Sequence, residues 1–281
     1  MFPRIENPKV LVIDTETTGL HWWNDRVFGV SLCTETEDTW YFDVRTAPQF
    51  IDWLSDLIAN NPRTVWVGHN LKFDYHFLRE AGVQLPDDRI DCTMIRAALI
   101  SEHEPTYELD FLARKYAGTR KDSEIYEEMA TLFGGRATRN AQMPNISRAP
   151  EDMVARYAKQ DALATMKLYR WQEGEIGKLS KVHQLERRLL PVIIRMEEGG
   201  VRVDIDRAEE AVRGLTKRIE TAQRDLNTMA GFEVNPNPSG SIAKLFEPKL
   251  EIDGEWYLND GTRADKTEGG KASINAECCG A

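Results

Sequence analysis

Short apolar runs and longer three-and-four-residue periodicities alternate along the first two-thirds of the chain. Residues 9–16 (Lys9-Val10-Leu11-Val12-Ile13-Asp14-Thr15-Glu16) make a compact apolar run that ends in acidic residues, the pattern of a buried strand. Two β-rich stretches follow at 27–34 and 39–44, with a turn signal at Glu37-Asp38 between them. Over 47–60, Phe50, Ile51, Leu54, Leu57 and Ile58 fall on one helical face. A strand at 65–68, ended by Gly68, leads into a helical pattern over 71–81. Three antiparallel-type strands, a helix, a strand and more helices predict an α/β domain.

Residues 129–150 break this texture. They hold Gly134, Gly135, Pro144, Pro150 and three arginines (Arg136, Arg139, Arg148) with no acidic residue, and read as a long loop. Its arginines either grip phosphates or only solvate a mobile segment. Pro150-Glu151-Asp152 then opens a helix to about Trp171, with proline in the first turn and two carboxylates at the positive end of the helix dipole. Beyond Glu175 two amphipathic helices are expected. The first places Leu185, Leu189, Val192 and Met196 on one face, with a kink at Pro191. A turn at Glu197-Glu198-Gly199-Gly200 follows. The second helix, capped by Asp204, carries Ala208, Ala211, Leu215, Ile219, Ala222, Leu226 and Met229 at helical steps. The pair is expected to close as an antiparallel hairpin over a shared apolar seam. Order is expected to fall away from about residue 232, which sets two parts, 1–175 and 176–281.

Composition narrows the class. Of 281 residues, 41% are hydrophobic and 29% charged, which excludes wholesale disorder. The longest clearly apolar stretch, 189–194, is far short of the ~20 residues of a spanning helix, so no membrane segment is expected. The amino terminus has no apolar signal region. Cys33, Cys92, Cys278 and Cys279 show neither metal-type spacing nor a disulfide framework, implying a reduced, cytoplasmic compartment. The net charge of −10 by itself argues against a nucleic-acid binder.

Three places carry candidate chemistry. In Asp14-Thr15-Glu16-Thr17-Thr18-Gly19-Leu20, strand alternation points Asp14 and Glu16 the same way, and two such carboxylates repel unless a proton or cation lies between them. Taken alone, an acidic turn explains that motif. In Gly68-His69-Asn70-Leu71-Lys72-Phe73-Asp74, Asn70 and Asp74 stand one helical turn apart, and Asn70 or His69 could simply cap the helix. In Tyr157-Ala158-Lys159-Gln160-Asp161, the i, i+4 spacing puts phenol and carboxylate on one face. Together, Asp14, Glu16, Asp74 and Asp161 form a hard-oxygen set suited to two Mg²⁺ or Mn²⁺ ions. Such a pair stabilises both the attacking and the leaving oxygen of a phosphoryl displacement.

These motifs, in this order, resemble those of the DEDDy 3′→5′ exonucleases over roughly residues 8–175. The resemblance implies a ribonuclease H-like fold, a mixed sheet flanked by helices. It makes Asp14, Glu16, Asp74 and Asp161 the holders of two metal ions, with Tyr157 orienting the attacking water. Thr15, Leu20 and Asn70 become substrate contacts, Leu20 against the 3′-terminal base and Asn70 at the backbone near it. Phe73 stands where many relatives have tyrosine. The second part resembles the opening of the polymerase region of bacterial and bacteriophage family A DNA polymerases. The residues that match are the Met196-Glu197-Glu198-Gly199-Gly200 turn, the Val201-Arg202-Val203-Asp204 cap, the asparagine- and serine-containing segment from Asn235, and Gly270-Lys271-Ala272-Ser273. It implies an α-helical hairpin, part of a polymerase thumb; no palm motif is present. The implied activity is metal-dependent digestion of single-stranded or frayed DNA 3′ ends to 5′-mononucleotides, at a strand end or primer terminus, without polymerisation. An RNA-trimming, ribonuclease D-like enzyme and a non-catalytic DNA-end binder remain open beside it. Trp22 and Trp23 either stack on unpaired bases or pack internally. Most of the acidic excess falls in residues 1–175, so the charge now reads as metal-gated engagement of a strand end.

Overall fold

The computed structural model describes residues 2–119, 124–236, 249–250, 253–258, 261, 263–266, 270 and 272. By compactness the chain divides into Met1–Gly200 and Val201–Ala281. In the first unit, strands β1 (Val10–Thr17), β2 (Val27–Thr34), β3 (Thr39–Asp43), β4 (Val65–Gly68) and β5 (Ile90–Cys92) form one sheet in the order β3-β2-β1-β4-β5. The β1–β2 and β2–β3 pairs are antiparallel, whereas β1–β4 and β4–β5 are parallel. Hairpin loops suffice for the antiparallel half, and helical crossovers serve the parallel half. These are α1 (Phe50–Asn60) before β4 and α2 (Leu71–Glu80) between β4 and β5.

Burial on both faces explains why β1 reads as an unbroken apolar run rather than an alternating one. Leu11 and Ile13 pack with Phe50 and Leu54 of α1 and with Leu71, Tyr75 and Leu78 of α2. Val12 faces the other way, against Ala162, Met166 and Tyr169 of α7 (Glu151–Glu175). Gly68 ends β4 where the chain turns into α2. A Cβ there would press on Leu71 at 2.7 Å and on the Ile13 carbonyl at 3.2 Å, so glycine lets α2 start directly beside β1.

Helices α3 (Thr93–Ile100), α4 (Leu109–Tyr116) and α5 (Glu124–Phe133) follow β5. The segment expected as a loop at 129–150 is ordered. It completes α5, forms the short α6 (Arg139–Gln142), and passes through a 3-10 turn at Met143–Arg148. Apolar anchors hold it: Ile146 packs with Phe28, Met129 and Val154. Fully buried Gln142 donates from Nε2 to the carbonyls of Gly134 (2.8 Å) and Arg136 (3.0 Å). Glycine and proline mark local turns here, not a mobile loop.

Helix α8 (Ser180–Gly199) belongs to the first unit, past the boundary expected at 175/176. Leu190 and Ile194 are buried in the core with Leu71 and Tyr75. Within the first unit Leu185, Leu189, Val192 and Met196 lie on the other side of the helix from that core. Two apolar stripes run along α8, and the core took the one carrying His183, Leu190 and Ile194. Pro191 lies inside the helix.

In the second unit, α9 (Ile205–Ala230) begins at Asp204, whose carboxylate accepts from the Arg207 amide at 3.1 Å. Within this unit α9 carries Val212, Leu215, Ile219 and Met229 along one stripe, and no α9 residue is buried. Where order was expected to fall away, strands β6 (Lys249–Leu250), β7 (Trp256–Tyr257) and β8 (Arg263–Ala264) make a small antiparallel sheet. Residues 237–248, most of the asparagine- and serine-containing segment, lie outside the described residues, as do Lys271, Ser273, Cys278 and Cys279. Among the described residues no helix is long and apolar enough to cross a membrane.

Candidate active site

Strand β1 delivers the first acidic pair. Alternation sends Asp14 and Glu16 to the α7 side with Val12, and Thr15 to the α2 side. Glu16 is 5% exposed and pairs across the sheet with Gly29. A Cβ on Gly29 would collide with the Tyr41 phenol, so glycine leaves room for that ring. Burial, and then the charges of Asp43 and Glu16, push the Tyr41 phenol well above its ordinary value.

Thr15 turns toward α2 and holds Asp74. Its backbone N–H donates to Asp74 Oδ1 at 2.9 Å and its Oγ1 donates to the same oxygen at 2.6 Å. The resemblance put Thr15 at the substrate; in the structure its bonds go to a carboxylate from the second motif. Asp74 is buried, in the first turn of α2. Burial pushes its carboxyl up to about 7, while the two Thr15 bonds pull the other way.

Helix α7 brings the third pair. Tyr157 and Asp161, one turn apart, are both buried rather than forming a surface pair. Tyr157 packs with Phe28, Tyr126 and Met153. Burial, followed by the charges of Asp161 and Glu16, drives its phenol well above the usual tyrosine value. It is therefore neutral throughout the physiological range.

Asp14 and Asp161 meet in a cleft of about 410 Å³, walled by His69, Asn70, Met94, residues 106–110 and Arg139. Asn70 adopts a left-handed conformation (φ 62°) and makes no side-chain cap on α2, which leaves its amide among the lining groups. His69 ties three segments together. Its Nε2 donates to the Tyr107 carbonyl at 2.9 Å, and its Nδ1 lies 2.9 Å from Thr93 Oγ1. The lining residues Met94, Thr106, Tyr107, Glu108, Asp110 and Arg139 carry no motif that a single sequence could reveal. Leu20 is exposed on its loop and is not among the residues lining the cleft. Trp22 and Trp23 divide: Trp22 stacks on the buried His76 at 4.7 Å and 9°, while Trp23 is exposed and meets Trp22 edge-on.

As a test of metal fit, donor chemistry and location agree with a hard divalent cation. Four carboxylates come from β1, α2 and α7, and two of them, Asp14 and Asp161, line one cleft. Their placement is not a closed cage: among the described residues no three His, Cys, Asp or Glu side chains stand together as a metal site.

A family model described as 3′-5′ exonuclease matches residues 1–171. The chain belongs to the 3′-5′ exonuclease domain family of family A DNA polymerases. Together with the residues beyond 171, this exonuclease domain is 48% identical over 280 residues to the DNA polymerase DpoZ of Salmonella phage PMBT28. The match takes in 99% of this chain and 44% of the relative, so the chain spans less than half the length of that polymerase. Among solved structures, the POL domain of Pol1 from M. smegmatis, in complex with DNA primer-template and dNTP, superposes with a TM-score of 0.62 at 15% identity. It covers 96% of this chain and 41% of that one. Brucella melitensis NrnC with bound Mg²⁺ aligns with a TM-score of 0.51 at 16% identity, over 71% of this chain and 90% of its own. At these identities the two structures show a shared fold.

Proposed function

We propose that this chain is a metal-dependent 3′→5′ exonuclease that removes 5′-mononucleotides from single-stranded or frayed DNA 3′ ends, as a proofreading domain does. The observation that carries this reading is the convergence of Asp14 and Asp161 on one cleft, with the buried Tyr157 phenol one helical turn from Asp161 and kept neutral by burial and by the charges of Asp161 and Glu16. Asp14, Glu16, Asp74 and Asp161 would hold two divalent cations, Mg²⁺ or Mn²⁺. When bound, these supply Lewis-acid stabilisation at the attacking water and at the departing 3′ oxygen. Tyr157 acts as a fixed hydroxyl that orients the water; a phenol raised this far gives up no proton near neutral pH. Thr15 positions Asp74, and Asn70 presents a polar side chain to the strand end. To these residues we assign hydrolysis alone, since no polymerase palm motif occurs among them. Buried free thiols at Cys33 and Cys92 suit a reducing, cytoplasmic setting.

The test is a time course on 3′-labelled and 5′-labelled single strands, of DNA and of RNA, with and without Mg²⁺. Early release of label from the 3′ end of DNA only when Mg²⁺ is present supports the proposal. Faster digestion of RNA would move the assignment to RNA trimming. Metal-dependent binding without mononucleotide release would make the chain a DNA-end binder.

A further inference from the structure

The cleft that receives the strand end is strongly acidic. Asp14 and Asp161 stand on its wall together with Glu108 and Asp110, and the domain around it carries most of the net negative charge. A phosphodiester that enters meets a wall carrying four carboxylates, and divalent cations at the catalytic set would offset charge at Asp14 and Asp161. Among the described residues that line the cleft, Arg139 is the one with a permanent positive charge.

Arg139 is also built into place. It is the first residue of α6, and its segment is fixed at both ends. On one side Gln142 binds the Gly134 and Arg136 carbonyls; on the other, Ile146 is buried and the Ser147 carbonyl accepts from Arg45 Nη1 at 2.6 Å. Arg139 as a residue is exposed, and among the described residues no ion pair within 4.0 Å engages it. It lines the cleft together with Glu108 and Asp110, and the charges of both and the phenols of Tyr157 and Tyr126 act on its guanidinium. The sequence offered three arginines in this segment with nothing to choose among them. Arg148 lies over the Phe133 ring at 4.9 Å and bonds Asn145 at 3.3 Å, and neither it nor Arg136 lines the cleft.

We propose that Arg139 is a substrate-positioning residue, whose guanidinium grips a backbone phosphate of the single strand next to the phosphodiester being hydrolysed. This rests on the nuclease reading above. A planar, multiply donating cation suits a phosphate oxygen pair, and in an acidic cleft such a grip decides whether the strand end stays long enough to react. Because the contact is to a neighbouring phosphate, it acts in ground-state binding and shows in KM more than in kcat.

The experiment uses the full chain and a labelled oligodeoxynucleotide. Hydrolysis is followed with Mg²⁺, and binding by fluorescence anisotropy with Ca²⁺ in place of Mg²⁺ over a range of NaCl concentrations. Arg139→Gln is expected to raise KM about tenfold or more with a smaller change in kcat. It should lower the slope of log affinity against log salt by about 0.7, one phosphate contact on a single strand. Arg139→Lys should restore the salt slope and part of KM, and Arg148→Gln should match the wild type. Equal KM, affinity and salt slope in Arg139→Gln and wild type would overturn the proposal. So would a fall confined to kcat, which places Arg139 at the scissile group instead. If the wild type fails to hydrolyse any strand, the nuclease reading falls, while the anisotropy comparison still decides whether Arg139 holds a phosphate.

Discussion

Thr15 joins the first motif to the second through one backbone and one side-chain bond. In sequence it stands between two acidic residues; in space it points away from them and donates twice to Asp74. Thr15→Val keeps the strand-compatible shape and removes only the hydroxyl. We expect it to raise the Mg²⁺ concentration needed for half-maximal digestion, with the melting temperature little changed. An unchanged Mg²⁺ dependence would mean that the backbone N–H alone fixes Asp74. At Asp14 and Asp161, substitution by alanine should cut Mg²⁺-dependent digestion by ~10²-fold or more, the scale on which preorganised charge stabilisation acts. A variant at either position that digests at the wild-type rate would refute the metal assignment. Tyr157 tests a different property. Its phenol lies far above neutrality because of burial and the nearby Asp161 and Glu16 charges, so it stays protonated as pH rises. The ratio of wild-type to Tyr157→Phe kcat should therefore be large and flat from about pH 6.5 to 9. A ratio that falls toward alkaline pH would show the phenol ionising in that range.

Among the elements, α8 is tied to the sheet unit by charge as well as by apolar contact. Buried Asp91 on β5 accepts from Arg96 (Nη2, 2.7 Å), lies 3.0 Å from His183 Nε2 of α8, and has Arg187 Nε of α8 at 3.6 Å. At the far end of α8, Glu197 pairs with Lys72 (2.5 Å) and His76 (2.8 Å) of α2, and Glu198 with Arg79 (2.6 Å). Burial alone would raise the Asp91 carboxyl, but hydrogen bonds from His183 and Arg96 outweigh it and bring it down to about 2. A carboxyl lowered in the folded state adds stability above its unfolded value, near 4, and loses it as pH falls toward 2. The contribution is roughly 2 kcal/mol, lost within that window. Asp91→Asn should destabilise the protein by about 2 kcal/mol at neutral pH, because buried Arg96 then keeps Glu173, at 2.5 Å, as its one carboxylate partner among the described residues. Its deficit against the wild type should shrink below about pH 4 in chemical denaturation. A deficit that stays constant down to pH 2 would show that the ion pairs contribute nothing.

At the scale of the whole chain, compactness puts the first boundary at Gly200, not where the sequence changes texture. A chain ending at residue 200 should fold cooperatively and keep its exonuclease activity. One ending at residue 175 exposes the surface that Leu190 and Ile194 cover and loses the His183 and Arg187 partners of Asp91. Each of those two aliphatic side chains contributes roughly 1.5–3 kcal/mol when fully buried. The shorter chain should therefore melt well below the longer one; equal melting temperatures would return the boundary to 175. The net charge of −10 also has a place at this scale. Most of it lies in the unit whose cleft gathers Asp14, Asp161, Glu108 and Asp110, and under the proposed reading cations and Arg139 would offset that charge for an incoming strand end.

The sequence alone determined what local chemistry can encode. The strands at 10–17, 27–34 and 65–68 and the long helix after Pro150 were legible, and so was the shared facing of Asp14 with Glu16 and of Tyr157 with Asp161. Strand alternation and i, i+4 spacing fix which residues share a face before any tertiary contact exists. Choices between equivalent local patterns were left to the tertiary structure. Helix α8 has two apolar stripes, and only contact with α2 and the sheet shows that Leu190 and Ile194 face inward while Leu185 and Met196 do not. Three arginines share one glycine- and proline-marked segment, and only its folding onto Phe28 and Met129 brings Arg139 to the cleft. Thr15 could as well have faced the substrate as Asp74 until α2 took its place beside β1. Period and composition are properties of neighbours along the chain. Which side of an element meets another is a property of the packed whole, where burial and charge from distant segments decide.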